Sequence, residues 1–378
     1  MSQEKNLRPE TEADLARMIA DAGGPLRIIG GGTRGLAAGS GEVLSTAGLS
    51  GVTLYEPGAL TLIVQAGTPL AEVEAVLAAE GQRLAFEPMD YPGLMGTIGA
   101  PTIGGIVAAN VSGPRRIAVG ACRDFLLGVR FVDGMGRVLK NGGRVMKNVT
   151  GYDLSRLMAG SYGTLGVISE VSLKVLPIPR ACLTLMLDGL DDVRAVAALS
   201  RALGSPYEVT GAAHLAAGAH RTLIRLEGFE ASVHYRAERL QRLLAEFGDW
   251  WVEKDSPAWQ DLCNVAPLHG GGDVWRVSAR PTKGPMLVAR VPGADAVYDW
   301  GGGLIWLRVP EGTDLRAALG PFDGHATLVR AGPGTRARLS MFHPVSQPIA
   351  AIEAGLRARF DPRGILNPGL MTPQTGAA

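Results

Sequence analysis

The chain has 378 residues and a net charge of +1; 46% of its residues are hydrophobic and 19% are charged. This length suits two or three compact units, and the composition excludes wholesale disorder. A nearly neutral chain has no electrostatic reason to bind nucleic acid or an acidic membrane surface, so we expect no nucleic acid partner.

The cysteines and the hydropathy pattern indicate the compartment in which the protein is expected. The three cysteines, Cys122, Cys182 and Cys263, lie far apart in the sequence, so we expect no iron–sulfur cluster and no zinc site built on them. A sparse, odd count is typical of a reducing compartment. The first fifteen residues are polar, and no apolar run approaches the ~20 residues that span a bilayer. We expect a cytoplasmic protein without a transmembrane segment.

The first elements in chain order are a helix that Thr11 can cap and a strand over 26–29. The loop GGGTRG follows at 30–35 and matches the dinucleotide fingerprint G-x-G-x-x-G. A Rossmann site needs a helix directly after this loop, so that its N-terminus faces the pyrophosphate. The sequence instead predicts short strands over 52–55 and 60–65, and this excludes the Rossmann interpretation.

A second helix is predicted over 68–79, with Thr68 as its N-cap. Residues 93–121 then contain seven glycines between small side chains. Such a stretch allows close approach to a flat ligand or a phosphate chain, which we favour over a turn region with no ligand.

The remaining pattern predicts a β-hairpin over 125–139, a short helix over 153–159 and a strand over 167–176. After Pro179 the pattern becomes that of an α+β unit. Its predicted elements are helices over 190–203 and 231–247 and strands over 223–227, 249–253, 286–291 and 304–309. A last helix begins near Ser346 and ends at Asp361, which precedes a proline.

Several of these stretches occur in an order typical of one family. They are GGGT, VQAGTPLAEV, TIGGIVAANVSG, GTLGVISEVSLKVLP and FDPRGILNPG. In this order the chain resembles the FAD-binding oxidoreductases of the vanillyl-alcohol oxidase (PCMH) type, over nearly its whole length. Within that family, RVMKNVTGYDLSRLMAGSYGTLGVI and GHATLVRA are most similar to the E subunits of glycolate oxidases.

The resemblance implies an α+β fold with three parts. Residues 1–178 would form a PCMH-type FAD-binding domain of two α/β subdomains. Residues 179–343 would form an α+β cap or substrate domain, and residues 344–378 a helix and tail that return to the FAD domain.

The resemblance also implies which residues contact FAD. In the family, successive main-chain N–H groups of the glycine loop bind the pyrophosphate without a following helix. Carried over, the cofactor-binding residues are Gly30, Gly31, Gly32, Thr33, Arg34, Gly104, Gly105, Ala108, Asn110, Gly113, Gly166, Val167, Ile168 and Asn367. Some members attach FAD covalently through a His after the loop or a Cys in the second glycine stretch. Thr33 occupies the first position and the second stretch has no Cys, so we expect non-covalent FAD.

No catalytic residue is assigned from the sequence. Oxidation of a 2-hydroxy acid needs an Arg for the carboxylate and a base for the hydroxyl proton. Candidate arginines are Arg115, Arg116, Arg276 and Arg280, and His343 lies in a motif that can belong to the core or face the flavin. HGGGD at 269–273 invites a metal site, but the closing His of the related catalytic subunit is missing, so we predict no metal.

The expected function follows from the resemblance. It implies a complex of a larger FAD-binding glycolate oxidase subunit, this chain and an iron–sulfur subunit, which oxidises glycolate to glyoxylate. The complex would be cytoplasmic or peripheral on the inner membrane through its partner subunits. The alternatives are a stand-alone FAD oxidoreductase for another 2-hydroxy acid and a structural subunit with a vestigial flavin site.

Overall fold

A computed structural model of the protein describes residues 6–35, 41–143, 151–218 and 220–371. The chain divides into two compact units. The first unit contains residues 1–112, 121–178 and 344–378, and the second contains residues 113–120 and 179–343. The second unit takes in residues 113–120, from the end of the second glycine stretch, and the predicted division into an FAD domain, a cap domain and a returning tail stays a prediction. The predicted motif residues 144–150 lie outside the described residues.

The strands of the first unit lie in three sheets. They are β1 (Asn6–Leu7), β2 (Leu26–Ile29), β3 (Glu42–Ser45), β4 (Val52–Glu56), β5 (Thr61–Gln65), β6 (Gln82–Arg83), β7 (Leu126–Val132), β8 (Val138–Gly142), β9 (Val167–Lys174) and β10 (Leu176–Pro177). A parallel sheet has the order β1-β3-β2, and an antiparallel sheet has the order β4-β5-β9-β7-β8. β6 and β10 form a short antiparallel pair.

The strands of the second unit form one antiparallel sheet of eight. They are β11 (Ala181–Leu187), β12 (Val209–Leu215), β13 (Arg221–Gly228), β14 (Trp251–Lys254), β15 (Asp273–Ala279), β16 (Asp295–Asp299), β17 (Leu304–Val309) and β18 (Gly324–Arg330). Their order is β14-β11-β13-β12-β16-β17-β15-β18.

Helices accompany both sets of strands. In chain order they are α1 (Glu12–Ala20), α2 (Leu70–Ala79), α3 (Tyr91–Met95), α4 (Ile103–Ala108), α5 (Arg116–Val119), α6 (Leu154–Met158), α7 (Asp192–Leu203), α8 (Glu230–Leu243), α9 (Ala258–Cys263), α10 (Gly284–Ala289), α11 (Leu315–Leu319), α12 (Pro333–Arg338) and α13 (Gln347–Phe360). The mixture of helices and antiparallel sheets confirms the α+β class. Within the described ranges, no helix is both long enough and apolar enough to cross a membrane.

The core of the first unit joins its beginning to its end. Thr11 caps α1 by accepting a hydrogen bond from the backbone of Asp14, as predicted. Leu15 and Ile19 of α1 are fully buried and pack in one cluster with Leu26 of β2 and Leu366 of the C-terminal tail. Leu26 also pairs with Leu366 in a parallel bridge, so the tail extends the sheet that precedes the glycine loop.

The core of the second unit lies against its eight-stranded sheet. Helices α7 and α8 both contribute to one cluster of buried aliphatic residues, through Leu199 of α7 and Leu240 of α8. A second cluster surrounds Trp275 of β15 and Tyr298 of β16, which are both fully buried. Alternation of apolar and polar residues predicts these strands poorly because several are apolar on both faces.

Two local predictions need correction. Thr68 does not cap α2: Pro69 takes the N-cap position, and the Thr68 hydroxyl donates to the Gln65 carbonyl at 2.8 Å. The strand predicted over 286–291 is wrong, because α10 begins at Gly284 with Pro285 in its first turn.

Candidate cofactor-binding site

A cavity of about 330 Å³ lies in the first unit. This volume falls within the ~300–1,000 Å³ that is typical of small-molecule sites. Its walls come from the glycine loop, from α4 and from the start of β9. The lining residues include Arg27, Ile28, Ile29, Gly30, Gly31, Gly32, Thr33, Arg34, Gly35, Thr46, Tyr91, Pro101, Thr102, Gly104, Gly105, Ile106, Ala108, Ala109, Tyr162, Gly163, Gly166, Val167 and Ile168. Eleven of the fourteen residues expected to contact the cofactor are therefore in one place.

The glycine loop needs glycine because it passes close to another backbone segment. A Cβ atom on Gly31 would lie 1.7 Å from the carbonyl oxygen of Ala100, so no side chain fits without a backbone shift. Gly32 has φ +72°, in the left-handed region that favours glycine, and the space beside it is open. The loop therefore exposes main chain to the cavity.

Helix α4 forms the second wall and is also held closely. Thr102 caps it by accepting from the Gly105 N–H at 3.4 Å. A Cβ atom on Gly104 would lie 2.5 Å from Cβ of Ala66, and the Gly104 N–H donates to the Ala66 carbonyl. Small residues thus let the start of this helix pack directly on the chain after β5.

The third wall is the beginning of β9. A Cβ atom on Gly166 would lie 2.6 Å from the Phe131 ring, which packs behind the strand. Val167 and Ile168 follow with their side chains buried. Main-chain atoms are therefore the polar groups that this wall can offer to a ligand.

Two arginines, Arg27 and Arg34, bring positive charge to the cavity, and Arg34 has an unsatisfied donor. Its guanidinium lies 4.4 Å from the ring centroid of Tyr91 and 5.6 Å from that of Tyr162. Its Nη2 atom is buried without a hydrogen-bond partner. A buried guanidinium donor with no acceptor fits an anionic ligand, because charge-assisted hydrogen bonds to phosphate are among the strongest available. The cavity therefore fits the pyrophosphate of FAD in both shape and charge.

Three of the expected residues are not among those that line the cavity. Asn367 lies behind the wall, where its side chain accepts from the Ile28 N–H at 2.7 Å and donates to the Tyr162 carbonyl at 2.8 Å. Asn110 has φ +50° and accepts from the Arg123 N–H. Gly113 belongs to the second unit, where its carbonyl accepts from the Trp300 indole. Their proposed contact with the cofactor stays a prediction.

Tyr91 and Tyr162 are site residues that the sequence analysis missed. Tyr162 has φ +53° and stands between glycines in the turn before β9. The sequence shows only an aromatic residue among glycines here, and its left-handed backbone is known from the structure alone. No comparable signal marks Tyr91.

The lining contains neither histidine nor cysteine among the residues that the structure describes. Cys122, the nearest candidate in sequence, is fully buried, and burial raises the pKa of its thiol well above the usual range. A protonated, enclosed thiol is a poor nucleophile. These features agree with non-covalent binding.

The second unit brings together two of the four candidate arginines. The guanidinium groups of Arg116 and Arg276 lie 4.6 and 5.1 Å from the ring centroid of Trp300. The pKa of His325 is lowered, first by burial and then by the positive charges of Arg276, His343 and Arg116. A neutral imidazole close to two cations is a combination that can bind a carboxylate and take up a proton.

The other candidates are occupied by internal contacts. Arg115 makes a two-pronged contact with Glu227, at 2.8 and 2.6 Å, and both side chains are nearly buried. Arg280 forms an exposed ion pair with Asp323. His343 accepts from the backbone N–H of Ala326 at 3.2 Å.

The motif HGGGD at 269–273 is part of the second unit's framework. His269 Nε2 lies 3.0 Å from the Asn264 carbonyl, and Asp273 accepts from the Gly312 N–H at 2.8 Å. These contacts hold neighbouring turns together, as expected for a glycine-rich turn beside a histidine.

Comparisons with known proteins support FAD as the cofactor. A family model described as an FAD-binding domain matches residues 6–142. Glycolate oxidase subunit GlcE of Escherichia coli is 37% identical over 88% of this chain and 87% of its own length. D-2-hydroxyglutarate dehydrogenase of Xanthomonas citri is 32% identical over 63% of this chain and 47% of its own length.

Among solved structures, an alkyldihydroxyacetonephosphate synthase has a TM-score of 0.67, with 97% of this chain and 77% of that chain covered. The two sequences are 15% identical, so this likeness concerns the fold. It extends over both units of the chain.

Proposed function

The chain belongs to the vanillyl-alcohol oxidase (PCMH) type family of FAD-binding proteins, in the group of the glycolate oxidase E subunits, and we propose that it is an FAD-binding subunit of a glycolate oxidase complex. Bound FAD supplies the chemistry of hydride acceptance from the alcohol carbon of a 2-hydroxy acid. The observation that carries the cofactor assignment is the cavity of the first unit, with its glycine walls and the buried, unsatisfied Arg34 donor.

The residues of this chain bind and orient the cofactor. Main-chain N–H groups of Gly30, Gly31 and Gly32 would hold the pyrophosphate, and Arg34 would neutralise its charge. The start of α4 and the first residues of β9 would enclose the cofactor in the cavity and exclude water from it. Thr33 leaves the cofactor without a covalent bond.

The partners are a larger FAD-binding subunit and an iron–sulfur subunit. The name of the E. coli relative, a subunit, supports assembly with other chains. Cys122 and Cys263 are buried singly and Cys182 is half-buried, so these cysteines offer no cluster ligands. Any iron–sulfur cluster of the complex would then lie in a separate subunit.

Co-purification tests the complex. The full chain carries an affinity tag in its own host, and bound proteins are identified by mass spectrometry and their flavin and iron content. We expect a larger flavoprotein and an iron–sulfur protein in the eluate. Recovery of the tagged chain alone from gently lysed cells overturns the proposal.

A substitution pair tests the cavity. The Gly31→Glu, Gly104→Glu double variant forces side chains against the backbone of Ala100 and Ala66, which must displace the cavity walls, so it should lose its FAD absorbance. Gly58→Glu is the matched control, because Gly58 is exposed with open space around it and lies in the same unit. Full FAD occupancy in the double variant overturns the assigned site.

A stand-alone 2-hydroxy acid oxidoreductase is the second candidate. The cluster of Arg116, Arg276 and His325 in the second unit favours it, because it offers a carboxylate-binding charge beside a neutral imidazole. Turnover of glycolate or D-lactate by the purified single chain with an artificial electron acceptor would support this function. A loss of that turnover in Arg276→Gln would place the chemistry in this chain.

A further inference from the structure

The second unit contains a group of side chains that the flavin function does not use. Asp192 is the first residue of α7, His214 lies near the end of β12, and His220 directly precedes β13. One ligand atom from each lies within 4.8 Å of the other two. Among the described residues, these three side chains lie close enough together to bind one metal ion.

His214 is the buried member and has an unsatisfied nitrogen. Its side chain is fully inaccessible, and its Nδ1 atom lies 3.0 Å from the hydroxyl of Thr222, its cross-strand partner. Its Nε2 atom is buried with no hydrogen-bond partner. When Nδ1–H donates to Thr222, the lone pair of Nε2 is free and points towards the group. An outer contact of this kind fixes metal-binding histidines in position.

Asp192 is held in a complementary way. Its Oδ2 atom accepts from the Tyr298 hydroxyl at 2.6 Å, and its Oδ1 atom lies 3.5 Å from Nε2 of His214. One carboxylate oxygen is therefore fixed by Tyr298, and the other lies close to Nε2 of His214.

We propose that Asp192, His214 and His220 bind one divalent transition-metal ion of the Zn²⁺ class. Two imidazole nitrogens and one carboxylate oxygen form a donor set that zinc accepts. Metal–ligand distances of about 2.1 Å place two ligands of a tetrahedral ion about 3.4 Å apart. The Nε2–Oδ1 separation of 3.5 Å matches this spacing, whereas it leaves Nε2 without a hydrogen bond when no ion lies between them.

The ion would connect α7 to the hairpin of β12 and β13. His214 and His220 stand on the two sides of the hairpin turn, and Asp192 approaches from the helix. His220 is exposed, which leaves an entry path and a fourth position for water. None of the three residues lines the cavity of the first unit, so the ion site is separate from the proposed flavin site.

Zinc titration of the full chain tests this site. The protein is freed of metal with a chelator, and Zn²⁺ binding is measured by calorimetry, with Co²⁺ absorption as a readout of coordination geometry. We expect one high-affinity ion per chain, a tetrahedral Co²⁺ spectrum and a higher unfolding temperature with zinc. Absence of saturable binding at one ion per chain overturns the proposal.

Variants locate the ion. His220→Ala changes an exposed residue and should weaken Zn²⁺ binding by at least about 100-fold, since loss of an outer contact alone typically costs about 10–100-fold. Tyr298→Phe, which removes an outer contact, should weaken it by about 10–100-fold. His234→Ala, an exposed histidine on α8, is the matched control and should change nothing.

Two results would count against this site. Equal Zn²⁺ affinity in His220→Ala and His234→Ala would show that the ion binds elsewhere. A His214→Gln variant that keeps the tetrahedral Co²⁺ spectrum would do the same. FAD occupancy should stay at its normal level in all of these variants, so the outcome is separate from that of the flavin proposal.

Discussion

The two units differ in how they present polar groups. The first unit lines its cavity largely with glycine main chain, and one Arg34 guanidinium nitrogen is buried there without a partner. The second unit pairs charged side chains with one another, as Arg115 does with Glu227 of β13. A site made of main chain tolerates few side chains at its glycines, whereas a network of side chains depends on each partner being present. The predictions below test this difference.

We expect the largest loss of stability from a substitution in the second unit. Glu227→Gln removes the carboxylate that pairs with Arg115 and lies 3.9 Å from Arg225. Both buried guanidinium groups then lose this negative charge. Loss of one partner from a buried ion pair typically costs about 3–5 kcal/mol. We expect the free energy of unfolding, measured by urea titration, to fall by that amount.

An exposed pair in the same unit gives the control. Asp323→Asn breaks the contact with Arg280, in which both side chains are more than 70% accessible. It should cost at most about 1 kcal/mol. Equal losses in the two variants would contradict the distinction between buried and exposed pairs.

The next largest effect is expected on FAD affinity, from removing the positive charge of Arg34 in the first unit. Arg34→Gln removes the buried cation of the cavity, and a hydrogen bond to a charged group is worth about 1.5–3 kcal/mol. FAD affinity, measured by titration of the flavin-free chain, should fall by about 10–100-fold. Arg17→Gln, on the exposed face of α1, should leave FAD affinity unchanged.

A smaller effect is expected behind the cavity wall. Asn367→Ala removes two hydrogen bonds that join the tail to Ile28 and Tyr162. We expect a loss of about 1–2 kcal/mol in the free energy of unfolding. Gln347→Ala, at the exposed start of α13, should be close to neutral. No loss in Asn367→Ala would show that the tail does not support the wall.

The smallest effect depends on pH. Glu12 is partly buried, which acts to raise its pKa, but hydrogen bonds from Arg130 and Ser169 and the Arg130 charge lower it below 4.5 overall. A lowered carboxyl pKa adds stability above the unfolded value, and that stability is lost as pH falls through the folded pKa. Glu12→Gln should cost about 0.2–1 kcal/mol at pH 7.

The comparison of pH values is the check on Glu12. The difference between Glu12→Gln and the original chain should shrink when unfolding is measured near pH 3. A difference of the same size at both pH values would show that the contact with Arg130 is not electrostatic.

The features that the sequence predicted well are local. The Thr11 cap, the hairpin of β7 and β8 and the glycine loop are each specified by neighbouring residues. Turns and helix caps depend on a few neighbouring residues, so they can be predicted without knowledge of the fold. The order of the eight strands in the second unit has no such local signal.

The features that the sequence missed join distant residues. Tyr91 and Tyr162 meet at Arg34, and Asp192 meets His214 and His220, only because the sheets bring them together. Composition and spacing cannot predict such contacts between distant residues, since each residue alone resembles an ordinary surface or core residue. The strand predicted over 286–291 failed for a related reason: a short apolar run fits either a strand or a helix.

The return of the C-terminal tail has a consequence for synthesis on the ribosome. Leu26 pairs with Leu366, and Asn367 bonds to Ile28, so strand β2 acquires these partners only when nearly the whole chain has been made. Residues 179–343 form the bulk of a separate unit and are translated earlier than the tail. During translation at about 5–20 residues per second, the second unit has time to fold while the first waits for its last strand partner. Chains released before residue 366 would therefore carry an unfinished first unit, a natural target for quality-control proteases.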